Sequence, residues 1–212
     1  MPGKSLTLIL FAVVALSAGI WVGQILSDDR PEPLLEIAGI HFDQPKAVEP
    51  FALIDQSGEA FTEQDLRDRW SFLFFGYTYC PDVCPMALGD LNMVQRRLAE
   101  LGQAENTTYR LISVDPGRDT PARLKEYTTY FNPEFRGATG TPEELVRFAK
   151  QFGIYFQVND DGSGAADYTV DHSSTVTLID PDGRLHAIFT DHTPQRVTAD
   201  FVAMRQRYEA SN

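Results

Sequence analysis

Residues 70–85 read WSFLFFGYTYCPDVCP, and the fold turns on how this stretch is parsed. Ser71 to Tyr77 is a short, dense apolar run without the alternation of a half-solvated strand, so it is expected as a buried central strand. Cys80 and Cys84 follow it and are the only two cysteines in the chain. Beyond them Met86, Leu88, Leu91, Val94, Leu98 and Leu101 recur at helical spacing, so a helix is expected to begin near Pro85. The two thiols therefore sit at a strand-to-helix turn. There they can close on each other as a disulfide, or close together on a soft metal.

Working outward, Phe51 to Asp55 reads as a strand, and Phe61 to Arg69 as a short helix with Thr62 as its N-cap. Tyr109 to Asp115 reads as the next strand. Thr120 followed by Pro121, and Thr141 followed by Pro142, are two helix starts of one kind: a hydroxyl cap with proline at the first helical position. Ile154 to Val158 is a strand. Ser174 to Asp180 and Leu185 to Thr190 form a hairpin around Pro181-Asp182-Gly183, and a terminal helix opens at Thr193 or Pro194 and ends near Tyr208. Strands alternating with helices, then a hairpin and a helix, give an α/β class: a mixed sheet with flanking helices. The thioredoxin-like arrangement belongs to this class and carries its cysteines at the same kind of turn.

The chain has 212 residues, 43% of them apolar and 14 of them Phe, enough for a real core. Acidic residues outnumber basic ones by 30 to 18, which argues against a nucleic-acid footprint. Leu6 to Leu26 is almost entirely apolar and long enough to span a bilayer as a helix. Lys4 precedes the run and Ser27-Asp28-Asp29 follows it, so the remainder is expected to face outward, as in a bacterial inner-membrane protein with its domain in the periplasm. A cleaved signal sequence near Ala15-Leu16-Ser17 is the alternative. The expected organisation is an anchor over 1–27, a proline-rich linker over 28–47 and one domain over 48–212.

The chemistry centres on the thiols. Two cysteines do not staple a domain of this size, and the loop they would close is too short to stabilise it much. A helix amino end lowers thiol pKa, which favours the reactive, metal-binding thiolate. Soft sulfur ligands select Cu(I), Zn or iron–sulfur clusters, and two thiolates are an incomplete site for most metals. A third ligand is sought among four histidines: His172 directly before the hairpin, His186 within it, His192 after it and His41 in the linker.

The blocks TYCPDVCP (78–85), VDPGRDTP (114–121), and DHSS (171–174) with IDPDG (179–183) resemble the Sco/SenC family, over roughly residues 48–208. The resemblance implies a thioredoxin-like fold and a copper site made by Cys80, Cys84 and His172. It implies Cu(I) as cargo, and Cu(II) with an added oxygen or nitrogen ligand. The implied partners are the copper-bearing subunit of cytochrome c oxidase, whose two-copper centre is assembled, and an upstream copper donor. A thiol–disulfide oxidoreductase that keeps that centre's cysteines reduced is the alternative. Asp115 and Asp119 match the family's acidic block; a strand end and support for the Thr120 cap are their plain structural readings. Met86 is a soft donor by type but is expected to pack within its helix. A peroxide-handling enzyme of this fold class would need an arginine beside a low-pKa cysteine, and Arg118 is the candidate. No proline precedes the strand beginning at Ser174, where a thioredoxin places one opposite its cysteines, and this departure favours a metal.

Overall fold

The computed structural model describes residues 14–17, 19, 21, 37, 39–159 and 168–211. The chain divides into two compact units, Met1–Leu35 and Glu36–Asn212. In the first, residues 14–17, 19 and 21 are helical. Most of the expected anchor, Leu6 to Leu26, lies outside the described residues. Among those described, no helix is long and apolar enough to cross a membrane.

The second unit runs β1 (Ile40–Ala47), β2 (Leu53–Asp55), β3 (Ala60–Phe61), a 3-10 turn (Glu63–Leu66), β4 (Trp70–Gly76), α1 (Val83–Glu100), β5 (Thr107–Ser113), α2 (Pro121–Phe131), β6 (Arg136–Thr139), α3 (Pro142–Lys150), β7 (Phe156–Asn159), β8 (Thr169–His172), β9 (Val176–Ile179), β10 (Arg184–Phe189) and α4 (Pro194–Ser211). Among the described residues, eight strands form one mixed sheet in the order β1-β10-β9-β4-β5-β6-β2-β3, and β7 and β8 form a separate two-stranded sheet. β4 lies parallel to β5 in the register Trp70↔Thr107 to Gly76↔Ser113, and antiparallel to β9.

Every residue of β4 is buried, as its unbroken apolar run requires. On one face Phe72 meets Phe201 of α4, and Gly76 lies beneath Cys84 of α1. On the other, Phe75 packs on Phe148 of α3. The sheet is thus covered on both sides, and each fully buried Phe contributes roughly 1.5–3 kcal/mol. The two hydroxyl caps form as expected: the Thr120 side chain accepts from the Arg123 amide and the Thr141 side chain from the Glu144 amide, each with proline in the first turn.

Several expectations are corrected. The last eight residues of the expected linker, Ile40–Ala47, are strand β1, paired with β10 at the sheet edge across an irregular register. The helix expected over 61–69 is only a 3-10 turn, ended by Asp68 at a positive φ of 61°. The helix expected from Pro85 starts at Val83, which places Cys84 inside its first turn rather than before it. Met86 is 55% exposed and does not pack within its helix.

Candidate metal centre

The cysteine side of the site is built on the carboxyl end of β4. The turn after Gly76 is held by Asp119, which is fully buried and accepts from the Thr78 amide (3.0 Å), the Thr78 hydroxyl (2.6 Å) and the Ser113 hydroxyl (2.7 Å). Burial pushes the Asp119 carboxyl up from its ordinary range, against these donated bonds, which pull it down. One side chain thereby joins the end of β5 to the turn that leads into Cys80. This is a larger role than support for the neighbouring cap, since Thr120 caps α2 with its own hydroxyl.

Cys84 enters α1 with no exposed surface, directly over β4. A Cβ at Gly76 would stand 2.6 Å from the Cys84 sulfur and 2.9 Å from the Phe74 ring, so glycine is required here for close approach. Both cysteines are free thiols; Cys80 is half-buried and Cys84 buried. Burial pushes the Cys84 thiol well up. The helix amino end, expected to lower it, does not overcome desolvation at this depth.

His172 arrives from elsewhere, at the end of β8, paired with Phe156 of β7. Its Nδ1–H donates to the Ser173 carbonyl (3.1 Å), which leaves Nε2 unprotonated in the neutral ring and 3.4 Å from the Cys84 sulfur. Phe74 and Tyr77 meet the imidazole edge-on, at centroid distances of 6.1 and 5.8 Å. Burial lowers the His172 pKa, which keeps the ring neutral. The ligand atoms of Cys80, Cys84 and His172 all lie within 4.8 Å of one another. Donors bound to one ion at about 2.3 Å stand at most about 4.6 Å apart, so small adjustments suit this set to a soft cation.

The other candidates fall away from this point. His41 and His186 line a cavity of about 370 Å³ beside β1, β10 and α4. His192 lies 2.9 Å from the Asp90 carboxylate through Nδ1. Arg118 donates to Asp115 at 2.5 Å, and its guanidinium lies 3.5 Å over the Tyr168 ring, so it is built into the loop rather than aimed at a thiol. Burial alone would lower the Arg118 pKa, but the Asp115 bond and charge outweigh it and raise it. Tyr77 and Tyr168 were not singled out from the sequence. Both lie in or beside the motif blocks, yet an aromatic next to a motif reads equally well as core.

The family described as SCO1/SenC matches residues 41–206. The SCO2-like protein of Rickettsia felis is 35% identical over 191 residues, covering 87% of this chain and 92% of that protein. The structure of Arabidopsis thaliana ScoI with copper bound aligns at 33% identity and a TM-score of 0.70, over 76% of this chain and all of that one. The structure of Bradyrhizobium japonicum ScoI with copper bound aligns at 36% identity and a TM-score of 0.64, over 75% of this chain and 98% of that one. With its mixed sheet, its strand-to-helix cysteine turn and a family match over most of its length, the chain belongs to the SCO1/SenC family.

Proposed function

We propose that this protein binds copper through Cys80, Cys84 and His172 and helps to assemble the two-copper centre of cytochrome c oxidase. The observation that carries the reading is the convergence of two sulfurs and one unprotonated imidazole nitrogen within 4.8 Å. Two thiolates and a neutral imidazole suit Cu(I), and an added oxygen or nitrogen ligand suits Cu(II). Copper is cargo here, passed on by ligand exchange with a partner's own thiols and received from an upstream donor. The thiols must lose their protons to bind, whereas the imidazole is already neutral. Apparent Cu(I) affinity therefore falls as pH falls, by about tenfold per unit for each thiol proton displaced. Closing Cys80 and Cys84 into a disulfide removes both sulfur ligands, so loading is gated by reduction. Residues 1–27 anchor the chain in the bacterial inner membrane, and a proline-rich spacer that begins at residue 28 and ends before β1 holds the domain on the periplasmic side.

A second reading, thiol–disulfide exchange with the oxidase subunit, draws on the asymmetry of the pair: a half-buried Cys80 beside a buried Cys84. The Cys80 thiolate attacks the partner's disulfide and Cys84 resolves the mixed disulfide. Two electrons and two protons pass to the partner's thiols. Titration of reduced and oxidised protein with Cu(I) against a competing chelator separates the readings. Reduced protein is expected to take one equivalent and oxidised protein none, with His172→Ala weakening binding roughly a hundredfold. Reductase activity is expected to survive His172→Ala. If Cys80→Ser or His172→Ala holds one Cu(I) as tightly as the parent, the ligand assignment is wrong.

A further inference from the structure

We infer that Tyr168, Asp115 and Arg118 form a latch that positions His172 against the cysteine pair. The inference rests on the metal-site reading above and adds three positioning residues to it. Its starting point is how His172 is held. β8 pairs with β7 alone, in the register Phe156↔His172 to Asn159↔Thr169, and among the described residues neither strand joins the main sheet. Backbone hydrogen bonds therefore fix His172 relative to β7, and its distance from the cysteines is left to the short connection through Ser173–Thr175 into β9 and to side chains.

Those side chains are in place. The Tyr168 hydroxyl, four residues before His172, donates to one Asp115 oxygen at 2.6 Å, and Arg118 Nε donates to the other at 2.5 Å. The guanidinium lies 3.5 Å over the Tyr168 ring and 4.8 Å from the centroid of Tyr79, the residue before Cys80. One cation thus touches both arms of the site. The Val170 amide adds a long bond to the Tyr77 hydroxyl (3.4 Å), and the Tyr77 ring meets His172. The anchor itself is stiff. Asp115 is 1% exposed, its amide donates to the Ser113 hydroxyl, and its carbonyl accepts from the Arg118 and Asp119 amides. Gly117 leaves room for the latch: a Cβ there would stand 3.3 Å from the Tyr168 oxygen. A charge-assisted pair shielded from water, with a phenol closing the second carboxylate oxygen, is a strong tie for a short ribbon. Burial, and then Asp115, push the Tyr168 pKa up to about 12, so its hydroxyl remains a donor throughout the physiological range.

The test uses the reduced full-length protein, metal-free and then with Cu(I), as wild type, Tyr168→Phe, Arg118→Lys and His172→Ala, with the double variant of Tyr168→Phe and His172→Ala. Tyr168→Phe removes one oxygen and keeps the ring; Arg118→Lys keeps the charge and loses the planar stack. In metal-free protein, the His172 ring nitrogens are expected to move toward solvent-exposed NMR shifts in both variants. The Val170 amide should exchange at least about tenfold faster, whereas β4 amides, which open only with the whole domain, should quicken by no more than that factor. Wild-type His172 shifts and Val170 exchange in Tyr168→Phe would overturn the latch. With Cu(I), Tyr168→Phe should weaken binding about tenfold in the wild-type background and have no effect once His172 is alanine. Equal losses in both backgrounds would overturn it as well. If His172→Ala alone leaves Cu(I) affinity unchanged, the metal reading fails, and the metal-free NMR and exchange measurements still decide the latch.

Discussion

The two arms of the site are held by different kinds of structure. Cys84 stands on the centre of an eight-stranded sheet, over a strand buried along its whole length, and within a helix packed on α4. His172 stands on a two-stranded ribbon outside that sheet, tied to the cysteine side by one phenol on a carboxylate, one long amide bond, ring edges, the buried Val170 and the short run of chain into β9. A ligand set divided this way keeps two donors fixed and leaves the third adjustable. If the protein passes copper on as proposed, the division puts the adjustable donor where opening disturbs least of the core.

The comparison breaks most easily on the cysteine side. Phe74 has no exposed surface and lies under both Gly76 and the His172 ring. Phe74→Ala is expected to cost about 3–5 kcal/mol of unfolding free energy, since it opens a cavity in the central layer. Chemical denaturation of the reduced protein measures it. A loss below about 1 kcal/mol would mean that the cysteine arm is no stiffer than the ribbon.

Gly76→Ala should act next most strongly, by overpacking instead of emptying. The new methyl meets the Cys84 sulfur, the Phe74 ring and Leu111, none of them the free end of a flexible surface chain. A cost of about 1–3 kcal/mol is expected, with the Cys84 sulfur displaced. Alkylation of Cys84 in reduced protein should quicken relative to Cys80, and unchanged relative rates would show that the strand gives way instead of the thiol.

Asp119→Asn probes the turn before Cys80. The carboxylate accepts from three donors; an amide offers one acceptor oxygen and confronts the remaining donors with its own N–H groups. Roughly 1–3 kcal/mol is expected for the buried mismatch. The pH response identifies the cause. Burial raises this carboxyl in the folded state, so the folded protein holds its proton to higher pH than the unfolded chain does. Its contribution to stability is therefore fully present below the ordinary carboxylate range and is lost as pH rises through the raised value. Wild type should show that slope in acid, and Asp119→Asn should lack it.

How much of this the sequence disclosed follows the same division. β4, α1 and the two Thr-Pro helix starts were legible because each carries a local signal: an unbroken apolar run, a helical period, or a cap before proline. β6 was not, because Arg136-Gly137-Ala138-Thr139 has little strand propensity and forms by pairing between β5 and β2. β1 was hidden by Pro45 and by an irregular register that breaks alternation. Cys80 and Cys84 announced themselves by type and spacing. His172 did not: among four histidines its local context was only moderately better, and the resemblance singled it out. Asp115 and Asp119 were visible as a block, but their roles were illegible, since each depends on a partner far along the chain, Tyr168 in one case and Thr78 in the other. The depth of Cys84 was missed because the helix starts at Val83, one turn boundary that sequence periodicity does not fix.

The smallest expected effect lies on the ribbon. His172→Ala removes a half-buried ring with its edge contacts to Phe74 and Tyr77, one contact to Cys84 and one bond to its neighbour's carbonyl. Because β8 shares no ladder with the main sheet among the described residues, the loss should stay local, at about 1 kcal/mol or less. Hydrogen exchange provides the sharper reading. β4 and β5 amides should exchange only through global unfolding and slow as the whole protein is stabilised, whereas β8 amides should exchange through local opening that ignores modest changes in global stability. Denaturant series on wild type and His172→Ala would show β8 exchange nearly independent of denaturant and β4 exchange steeply dependent on it. If His172→Ala costs as much as Gly76→Ala, or if β8 follows the β4 slope, the two arms unfold as one unit. The third donor is then as fixed as the first two.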